Sequence, residues 1–383
     1  MYRQYYQRFL SANKDVQHFS CHSHHYWPDV TRDGMLEYWD DCAKYVDEKW
    51  SHFFQHKIPQ TQRLIAENLN ISNPSQITFA PNTHEFVFRL LSCLDLRKPQ
   101  RIITTDSEFH TFQRQIKRLN EWENIEVIAV PQSPVETFES RFCEALHEDA
   151  DLVFFSHVFF NSGHICGDLD KIVNHVKNSD TIVAIDGYHG FMAIPTDLGS
   201  IENRVFYIAG GYKYAQGGEG CCFITVPTNC ALRPLYTGWF AEFNALAAPR
   251  SDQVAYSSSG YRFAGATMDY SAIYRLHAVL SLFKKEGISV SQIHEFIQQR
   301  QQLFLAHIDT LDHPYLNRQS LLFQSAMDHG HFLTFVLPSV EIADQLQQQL
   351  NTHMIQTDCR GDRLRFGFAL YHDGDYDLRQ AFS

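Results

Sequence analysis

An aspartate and a lysine in the middle of the chain follow two strand-like runs and could do chemistry together. Asp186 follows the apolar residues 181–185, and Lys213 follows residues 205–209 within a stretch rich in Gly and Tyr. Ligands of open α/β sheets bind at the carboxyl ends of strands. A lysine in a pocket of low dielectric has a lowered pKa and a nucleophilic neutral amine. Alone, each residue is more simply a surface side chain; together they predict a carboxylate and an amine in one site.

A second candidate site lies where another strand-like run meets a helix. Residues 76–80 lead into Asn82 and Thr83, and an amphipathic helix follows over residues 83–94. The free N–H groups at the start of a helix, helped by the helix dipole, bind anions such as phosphate. Asn and Thr at this place also cap helices. Both roles stay open, and the position after a sheet strand favours an anion site.

Strand-like runs alternate with helix-like segments through the middle of the chain. The runs are short, apolar and rich in β-branched or aromatic residues, as in strands covered on both faces. They occupy residues 76–80, 101–105, 125–130, 152–155, 181–185, 205–209 and 221–226. This alternation predicts an α/β fold with a large, doubly wound, mostly parallel sheet.

The two ends of the chain differ from the middle. Long helical patterns dominate from about residue 269, and strand-like runs follow at residues 331–337 and 364–370. An early helix carries an apolar face, which consists of Met35, Leu36, Trp39, Ala43, Val46 and Trp50. We therefore expect a small α+β domain besides the large one. The predicted division is an N-terminal arm and helix that join the small domain (1–55), a large domain (56–265) and a small C-terminal domain (266–383).

Composition narrows the class of protein. The chain has 383 residues, 44% hydrophobic and 20% charged, with a net charge of -12. This acidic balance argues against a nucleic-acid partner. Nine cysteines without a Cys-x-x-Cys pair are typical of reduced thiols in a cytoplasm. No apolar run is long enough for a membrane span, and residues 1–10 do not resemble a signal peptide.

Three short motifs together resemble a known family. They are Asp186-x-x-His189, Tyr212-Lys213-Tyr214 and Gly238-Trp239-Phe240. The stretch resembles the fold-type I enzymes that depend on pyridoxal 5'-phosphate (PLP), in the class V aminotransferase branch, and within it kynureninase. The resemblance implies the fold of a fold-type I PLP-dependent transferase, with Lys213 holding PLP as a Schiff base. It also implies that Asp186 pairs with the pyridine nitrogen and that His189 is catalytic.

The same resemblance implies further contacts to the cofactor. Tyr212 donates to the phosphate together with Asn82 and Thr83, and Thr267 reaches the phosphate from a partner subunit. The protein is accordingly expected to be a homodimer with shared active sites. An aromatic residue after residues 101–105 stacks on the pyridine ring; Phe109 is our choice, with His110 as the alternative and a simple core position for Phe109 still open. Asn161 is expected at the hydroxyl of the ring.

Substrate contacts follow from the resemblance as well. Arg365, in the step Leu364-Arg365, is expected to hold the α-carboxylate of an amino acid, because a planar guanidinium suits a bidentate contact. Arg363 is the competing candidate if the strand begins that early. The resemblance also implies that His24 or His25 faces the substrate from an N-terminal loop, with Trp239 as a further substrate contact. We expect no metal at the cluster 21–25, since no ligands at zinc spacing follow it.

The reaction type is less constrained than the cofactor. Residues 261–267 lack the Asn that kynureninase uses to recognise its substrate. The sequence therefore predicts side-chain cleavage of an amino acid, of the kynureninase hydrolase or the β-lyase kind. Transamination is one alternative, and sulfur transfer through Cys359, as in cysteine desulfurases, is another. A PLP-fold protein without catalysis is disfavoured, because Asp186, His189, Tyr212 and Lys213 are all retained.

Overall fold

The structure is a computed structural model, and it describes residues 2–245, 252–325 and 328–382. Numbered in chain order, the strands are β1 (Gln17–His18), β2 (Ile77–Ala80), β3 (Gln100–Thr105), β4 (Ile125–Val130), β5 (Leu152–Ser156), β6 (Ile182–Asp186), β7 (Val205–Gly210), β8 (Cys222–Thr225), β9 (Phe332–Val336), β10 (Ile355–Gln356), β11 (Asp358–Arg360) and β12 (Arg363–Gly367). The helices are α1 (Gln7–Ala12), α2 (Val30–Tyr45), α3 (Lys49–His52), α4 (Ile58–Leu69), α5 (Thr83–Leu91), α6 (His110–Leu119), α7 (Phe138–Ala145), α8 (Leu169–His175), α9 (Ser271–Lys285), α10 (Val290–Ile308) and α11 (Val340–Thr352).

A seven-stranded sheet forms the centre of the molecule, in the order β2-β8-β7-β6-β5-β3-β4. Neighbours from β4 through β7 run parallel, while β8 is antiparallel to both β7 and β2. Every residue of β2, β5, β7 and β8 is buried, which explains why these strands are apolar throughout instead of alternating. The prediction of an α/β fold with a large, mostly parallel sheet is confirmed.

Element ends differ from the predicted ones where the chain must turn. Helix α5 stops at Leu91, three residues before the predicted end. Strand β12 ends at Gly367 instead of residue 370, because the amide of Gly367 donates to Phe19 O at 2.6 Å and its Cα lies against His22, where a Cβ would overlap the ring. These ends are set by tertiary contacts that local sequence does not contain.

A smaller sheet and the first residues of the chain lie together. Strands β11, β12 and β9 form an antiparallel sheet in that order, and β1 pairs in parallel with β10. Helices α9, α10 and α11 belong to this half of the sequence. The predicted domain bounds stay a prediction. Within the described residues, no helix has both the length and the apolar character that crossing a bilayer requires.

The apolar face predicted for the early helix is exposed in the single chain. Helix α2 packs on α9, and Gly34 allows the close approach, since a Cβ there would lie 2.8 Å from Tyr274 O. Met35, Leu36 and Trp39 consequently point outward, and Trp39 is 68% exposed. The spacing predicted a helix here, but α2 ends at Tyr45, so Val46 and Trp50 lie beyond it, and Met35, Leu36 and Trp39 do not belong to the core of the single chain.

Candidate active site

A cavity of about 650 Å³ opens at the carboxyl ends of the central strands. Its walls come from β6, from the segment after β7, from the start of α5, from an N-terminal loop and from β11. The residues that line it and are used below are Ser23, His24, Asn82, Thr83, His84, Phe109, Thr111, Ser156, Phe160, Asp186, Tyr188, His189, Tyr212, Lys213, Cys222, Asp358 and Arg360. Most of the predicted site residues thus meet in one place.

The loop that carries Lys213 is closed by its own backbone. The amide of Gly211 donates to Cys221 O at 2.8 Å, and the amide of Gly217 donates to Gly211 O at 2.7 Å. Helix α9 fixes the loop from outside, because Nε of Arg275 donates to Gly217 O at 2.8 Å. The lysine is therefore presented from a rigid turn, as a group that must hold a cofactor in one orientation requires.

The surroundings of Lys213 favour its neutral amine. Burial and the positive charge of Arg365 together lower the pKa of Lys213 to about 7, while the charges of Asp358 and Asp186 act in the opposite direction. Nζ donates to the carbonyl oxygen of His22 at 2.8 Å. An amine with this pKa is a nucleophile and a base near neutral pH.

Asp186 ends strand β6 and its carboxyl group faces the same cavity. Oδ1 accepts the amide hydrogen of Tyr188 at 2.9 Å. Burial raises the pKa of Asp186 to about 6, whereas that hydrogen bond and the charge of Lys213 lower it. Gly187 is needed for the turn after the strand, because a Cβ at this position would overlap the ring of Tyr207. A buried carboxylate that accepts one hydrogen bond can accept another from a protonated nitrogen.

His189 and Tyr212 complete this side of the cavity. His189 is buried, and neither of its ring nitrogens has a hydrogen-bond partner among the described groups. Burial and the nearby charge of Lys213 lower its pKa well below the ordinary value. Tyr212 shares a hydrogen bond of 2.5 Å with Nδ1 of His24. Buried polar atoms are normally satisfied, so the unpartnered imidazole indicates a group that binds here.

The start of α5, where the sequence predicts an anion site, lies at the cavity. Asn82 is the N-cap, and its Oδ1 accepts the amide hydrogen of Glu85 at 3.1 Å. Asn82, Thr83 and His84 all line the cavity. Capping leaves the other amides of the first turn available for an anion, so the anion site stays a prediction beside the observed cap.

Phe109 lies in the cavity and His110 lies just outside it. The ring of Phe109 meets Phe160 edge to face, with centroids 5.2 Å apart. His110 begins α6, and its Nε2 lies 3.3 Å from Nη1 of Arg360. Of the two candidates for stacking on a cofactor ring, only Phe109 lines the cavity, so the reading of Phe109 as a plain core residue does not hold.

Arg365 is buried behind the cavity wall instead of lining it. It is 1% exposed, and its guanidinium pairs with Asp358 at 2.5 Å while Nη1 donates to Phe160 O. Asp358 does line the cavity, as does Arg360 on the same strand. Arg363 and Arg365 share a strand face, as the two-residue period requires. Of the arginines on β11 and β12, Arg360 is thus the one that lines the cavity, and the sequence analysis did not single it out.

Cys359 points away from the cavity. It lies between Asp358 and Arg360 on β11, so the alternation of a strand directs it to the opposite face. Burial raises the pKa of Cys359 to about 11, and the charge of Asp344 adds to this. Cys222 does line the cavity, but burial raises its pKa to about 12, and its Sγ donates to Tyr188 Oη at 3.6 Å. Neither thiol is a ready nucleophile near neutral pH.

Besides Arg365, four predicted site residues are not among those that line the cavity. Asn161 lies beside the wall, with its buried Oδ1 unpartnered among the described groups. Thr267 and Trp239 are exposed on the surface of the single chain. His25 is buried, and its Nδ1 contacts Tyr26 O, which leaves His24 as the N-terminal histidine at the site. The roles of all four remain predictions.

Glu108 is a buried acid below the site that sequence reasoning missed. Its carboxylate accepts hydrogen bonds from Thr105 Oγ1 at 2.7 Å and from Ser156 Oγ at 2.6 Å. Burial raises the pKa of Glu108 to about 8. Ser156 lies beside Asp186 in the sheet register and lines the cavity. The available signal was a Glu three residues after a buried strand, but the sequence analysis considered only the neighbouring Phe109 and His110.

Comparisons with known proteins agree with this geometry. The family model described as Aminotransferase class-V matches residues 27–361. A curated relative, an uncharacterized aminotransferase of Bacillus subtilis (strain 168) called YcbU, is 22% identical over 302 residues, which are 76% of this chain and 75% of the relative. The chain belongs to the class V aminotransferase family.

Solved structures share the fold at low identity. A mutant of C-DES with glycine covalently linked to the PLP cofactor superposes with a TM-score of 0.80 at 20% identity, over 97% of this chain and 95% of that one. The cystine C–S lyase C-DES in complex with its product cysteine persulfide gives 0.79 at 20% identity, with 96% of each chain covered. A cysteine desulfurase from Thermococcus onnurineus NA1 gives 0.76 at 16%, over 96% and 92%.

The protein is therefore a PLP-dependent enzyme of fold type I. The residues fit that cofactor: a lysine amine with a lowered pKa, a carboxylate at a strand end, a buried imidazole without a partner among the described groups, and a helix N-terminus surround one cavity. The narrower resemblance to kynureninase stays a prediction, as do the roles of the individual residues.

Proposed function

We propose that the protein is a β-lyase, which cleaves the bond between Cβ and a substituent on an amino acid without using a cysteine nucleophile. One observation carries this proposal. The cavity joins Lys213 and Asp186, whereas Cys359 faces away from it and the thiol of Cys222 is held protonated by burial. Sulfur transfer would need a protein thiolate as nucleophile, and neither of these two cysteines supplies one. Elimination needs only a base and an electron sink.

The residues around the cavity would have distinct roles in this elimination. PLP supplies an electron sink at the substrate Cα when it is bound. Asp186 holds the proton on the pyridine nitrogen, because a nearby carboxylate favours the protonated ring. Lys213 Nζ would hold the cofactor, and its amine would remove the proton from Cα and return a proton to the leaving group. His189 and Phe109 fix the ring, and the start of α5 holds the phosphate together with Tyr212.

The neighbouring structures support this reaction class better than the kynureninase reading. One of them is named a cystine C–S lyase and another a cysteine desulfurase, and both names concern cleavage at sulfur. Cleavage at carbon, as in kynureninase, remains the second candidate. Its support is the retained motifs Asp186-x-x-His189 and Tyr212-Lys213-Tyr214.

The test is a product analysis with purified holoenzyme. S-substituted cysteines, cystine and kynurenine are each incubated with the wild type and with Lys213→Ala. We expect pyruvate and ammonia from a sulfur-substituted substrate, with loss of both in Lys213→Ala and no change in Cys359→Ala. A persulfide on Cys359 together with loss of activity in Cys359→Ala would establish the desulfurase reading, and cleavage of kynurenine alone would establish the kynureninase one.

The enzyme is also proposed to be a homodimer. Trp39 on α2 is 68% exposed and lies beside the exposed Met35 and Leu36, an apolar patch that is unusual for a surface open to water. Trp239 and Thr267 are exposed outside the cavity, where they could serve a partner's site. Light scattering of the wild type and of Trp39→Glu tests this; a monomeric wild type would contradict it.

A further inference from the structure

A groove continues from the active-site cavity along α5 and α6. Among the described residues that line it, none is Asp or Glu. Its volume is about 370 Å³, and it shares His84 and Thr111 with the cavity. Phe88, Leu91 and Leu119 give it an apolar floor. Because the two spaces have common walls, a substrate whose amine is at Lys213 could extend into the groove.

Two arginines stand at the junction of cavity and groove, on either side of His110. Nη1 of Arg360 lies 3.3 Å from His110 Nε2, and Nη1 of Arg114 donates to His110 O at 3.3 Å. The guanidinium of Arg360 also lies over the ring of Phe160, 5.5 Å from its centroid. We call Arg360, His110 and Arg114 the cationic cluster; its cations are the two arginines, since burial and both guanidinium charges lower the pKa of His110.

No carboxylate in the described part of the chain neutralises the two arginines of this cluster. Within residues 2–245, 252–325 and 328–382, neither Arg360 nor Arg114 forms an ion pair with a carboxylate, while Arg118, one turn further along α6, pairs with Glu121. Asp358 beside Arg360 is already engaged by Arg365. In a chain with a net charge of -12, two unneutralised arginines at the mouth of an active site call for an anionic ligand.

The cluster lies close enough to act together with the reaction centre. The charge of Arg360 lowers the pKa of Lys213 and that of His189. Phe109, Phe160 and Arg360 line the same cavity, and the two ring centroids are 5.2 Å apart. A substituent that extends along this wall would contact the rings and the guanidinium of Arg360, and in the groove it would meet Arg114.

We propose that Arg360 and Arg114 select amino acids whose β-substituent ends in an anionic group, such as a carboxylate or a sulfonate. This proposal rests on the proposed function for the position of the amine and the α-carboxylate. The anion is held by charge-assisted hydrogen bonds from both guanidinium groups, and the aromatic rings contact the chain that carries it. On cleavage, the group that leaves carries the anion away.

The experiment compares two ligands of matched shape, S-carboxymethyl-L-cysteine and its neutral amide, S-carbamidomethyl-L-cysteine. Binding to the holoenzyme is measured by titrating the visible absorbance of the cofactor, so cleavage is not needed. We expect the anionic ligand to bind at least about 10-fold more tightly, as for hydrogen bonds to a charged group. The preference should shrink as salt is added, because both arginines are exposed.

Variants separate the cluster from other causes. Arg360→Gln and Arg114→Gln should each reduce the preference for the anion, whereas Arg118→Gln, the matched control with its own partner, should leave it unchanged. Equal affinities of the wild type for the two ligands would overturn the proposal. So would an equal loss for both ligands in Arg360→Gln, since that residue would then bind the shared α-carboxylate. If the preference holds but no ligand is cleaved, the proposed reaction fails and the specificity stands.

Discussion

Asp358 and Arg365 oppose each other on β11 and β12, and their side chains form a buried ion pair of 2.5 Å. The hydroxyl of Ser23 and Nε2 of His22 also contact the same carboxylate. The arginine expected to bind the substrate α-carboxylate therefore already has a carboxylate partner. A substrate that uses Arg365 must displace Asp358 or share the guanidinium with it.

Removing Arg365 and removing the charge of Asp358 should have opposite effects on substrate binding. Arg365→Ala should destabilise the protein by about 3–5 kcal/mol, because it leaves a buried carboxylate uncompensated. It should also weaken substrate binding if Arg365 holds the α-carboxylate. Asp358→Asn should strengthen that binding, since it frees the guanidinium. Urea unfolding and titration of the cofactor absorbance measure the two effects.

Arg363→Ala is the control, because Arg363 shares the strand face with Arg365, but it is Arg365 that pairs with Asp358. Its variant should bind substrate like the wild type. Wild-type affinity in Arg365→Ala would refute the α-carboxylate role, and a loss in Arg363→Ala alone would transfer that role to Arg363.

Asp186→Asn should keep the cofactor bound but slow turnover. The phosphate and ring contacts remain, while the charge that keeps the pyridine nitrogen protonated is lost. Breaking a buried charge pair costs about 3–5 kcal/mol, which corresponds to roughly 10²- to 10⁴-fold in rate. Steady-state kinetics with the substrate that the product analysis identifies measures the change, and Asp186→Glu is the charge-preserving control. Near-normal turnover of Asp186→Asn would rule out the pairing.

Capture of the cofactor should depend on the protonation of Lys213. The folded-state pKa of Lys213 is lowered to about 7, so its amine is protonated and unreactive below that pH and neutral above it. When PLP is added to protein stripped of cofactor, the rate of covalent capture should rise through about pH 7 and then level off. Stopped-flow absorbance measures the rate, and borohydride reduction followed by peptide mapping should place the label on Lys213.

Arg360→Gln provides a further check on this midpoint. Because the charge of Arg360 lowers the pKa of Lys213, its removal should move the midpoint to higher pH. A rate independent of pH between about 5 and 9 would contradict a lysine amine with this pKa.

Acid should destabilise the fold well before its carboxylates are titrated. Burial lowers the pKa of His25, His157, His164 and His372 to about 4. The unfolded chain takes up these protons near pH 6.5, so stability is full above that pH and falls below it. At about pH 5 each histidine should cost up to about 2 kcal/mol.

The raised pKa values of Asp186 and Glu108 act in the opposite direction, since the folded state keeps their protons more tightly. These two acids are outnumbered by the buried histidines, and the net effect should be a lower urea midpoint at about pH 5 than at about pH 7.5. His157→Gln removes one titrating group and should reduce the difference between the two midpoints. An identical midpoint at both pH values would contradict the prediction.

The sequence was sufficient for the sheet and for the centre of the site. Strands covered on both faces leave continuous apolar runs, and Asp186 and Lys213 follow such runs directly. Asn82 and Thr83 could be placed because helix starts have their own residue preferences. These features are local, so a single sequence contains them.

Features that depend on distant parts of the chain were out of reach. The pairing of Asp358 with Arg365 needs the register of two strands, and the exposure of Trp39 needs the packing of α2 on α9. The cluster around His110 joins α6 to β11, which are far apart in sequence. No residue pattern in either segment indicates the other.

The contact between Ser23 and Asp358 joins residues that are 335 positions apart. During synthesis, the N-terminal loop that carries His24 leaves the ribosome long before β11 is made. Chains grow at about 5–20 residues per second, so roughly 17–67 seconds pass between the synthesis of Ser23 and that of Asp358. This wall of the cavity cannot form before then. A nascent chain can therefore present Lys213 before its cavity closes, and firm retention of the cofactor should begin only when the chain is nearly complete.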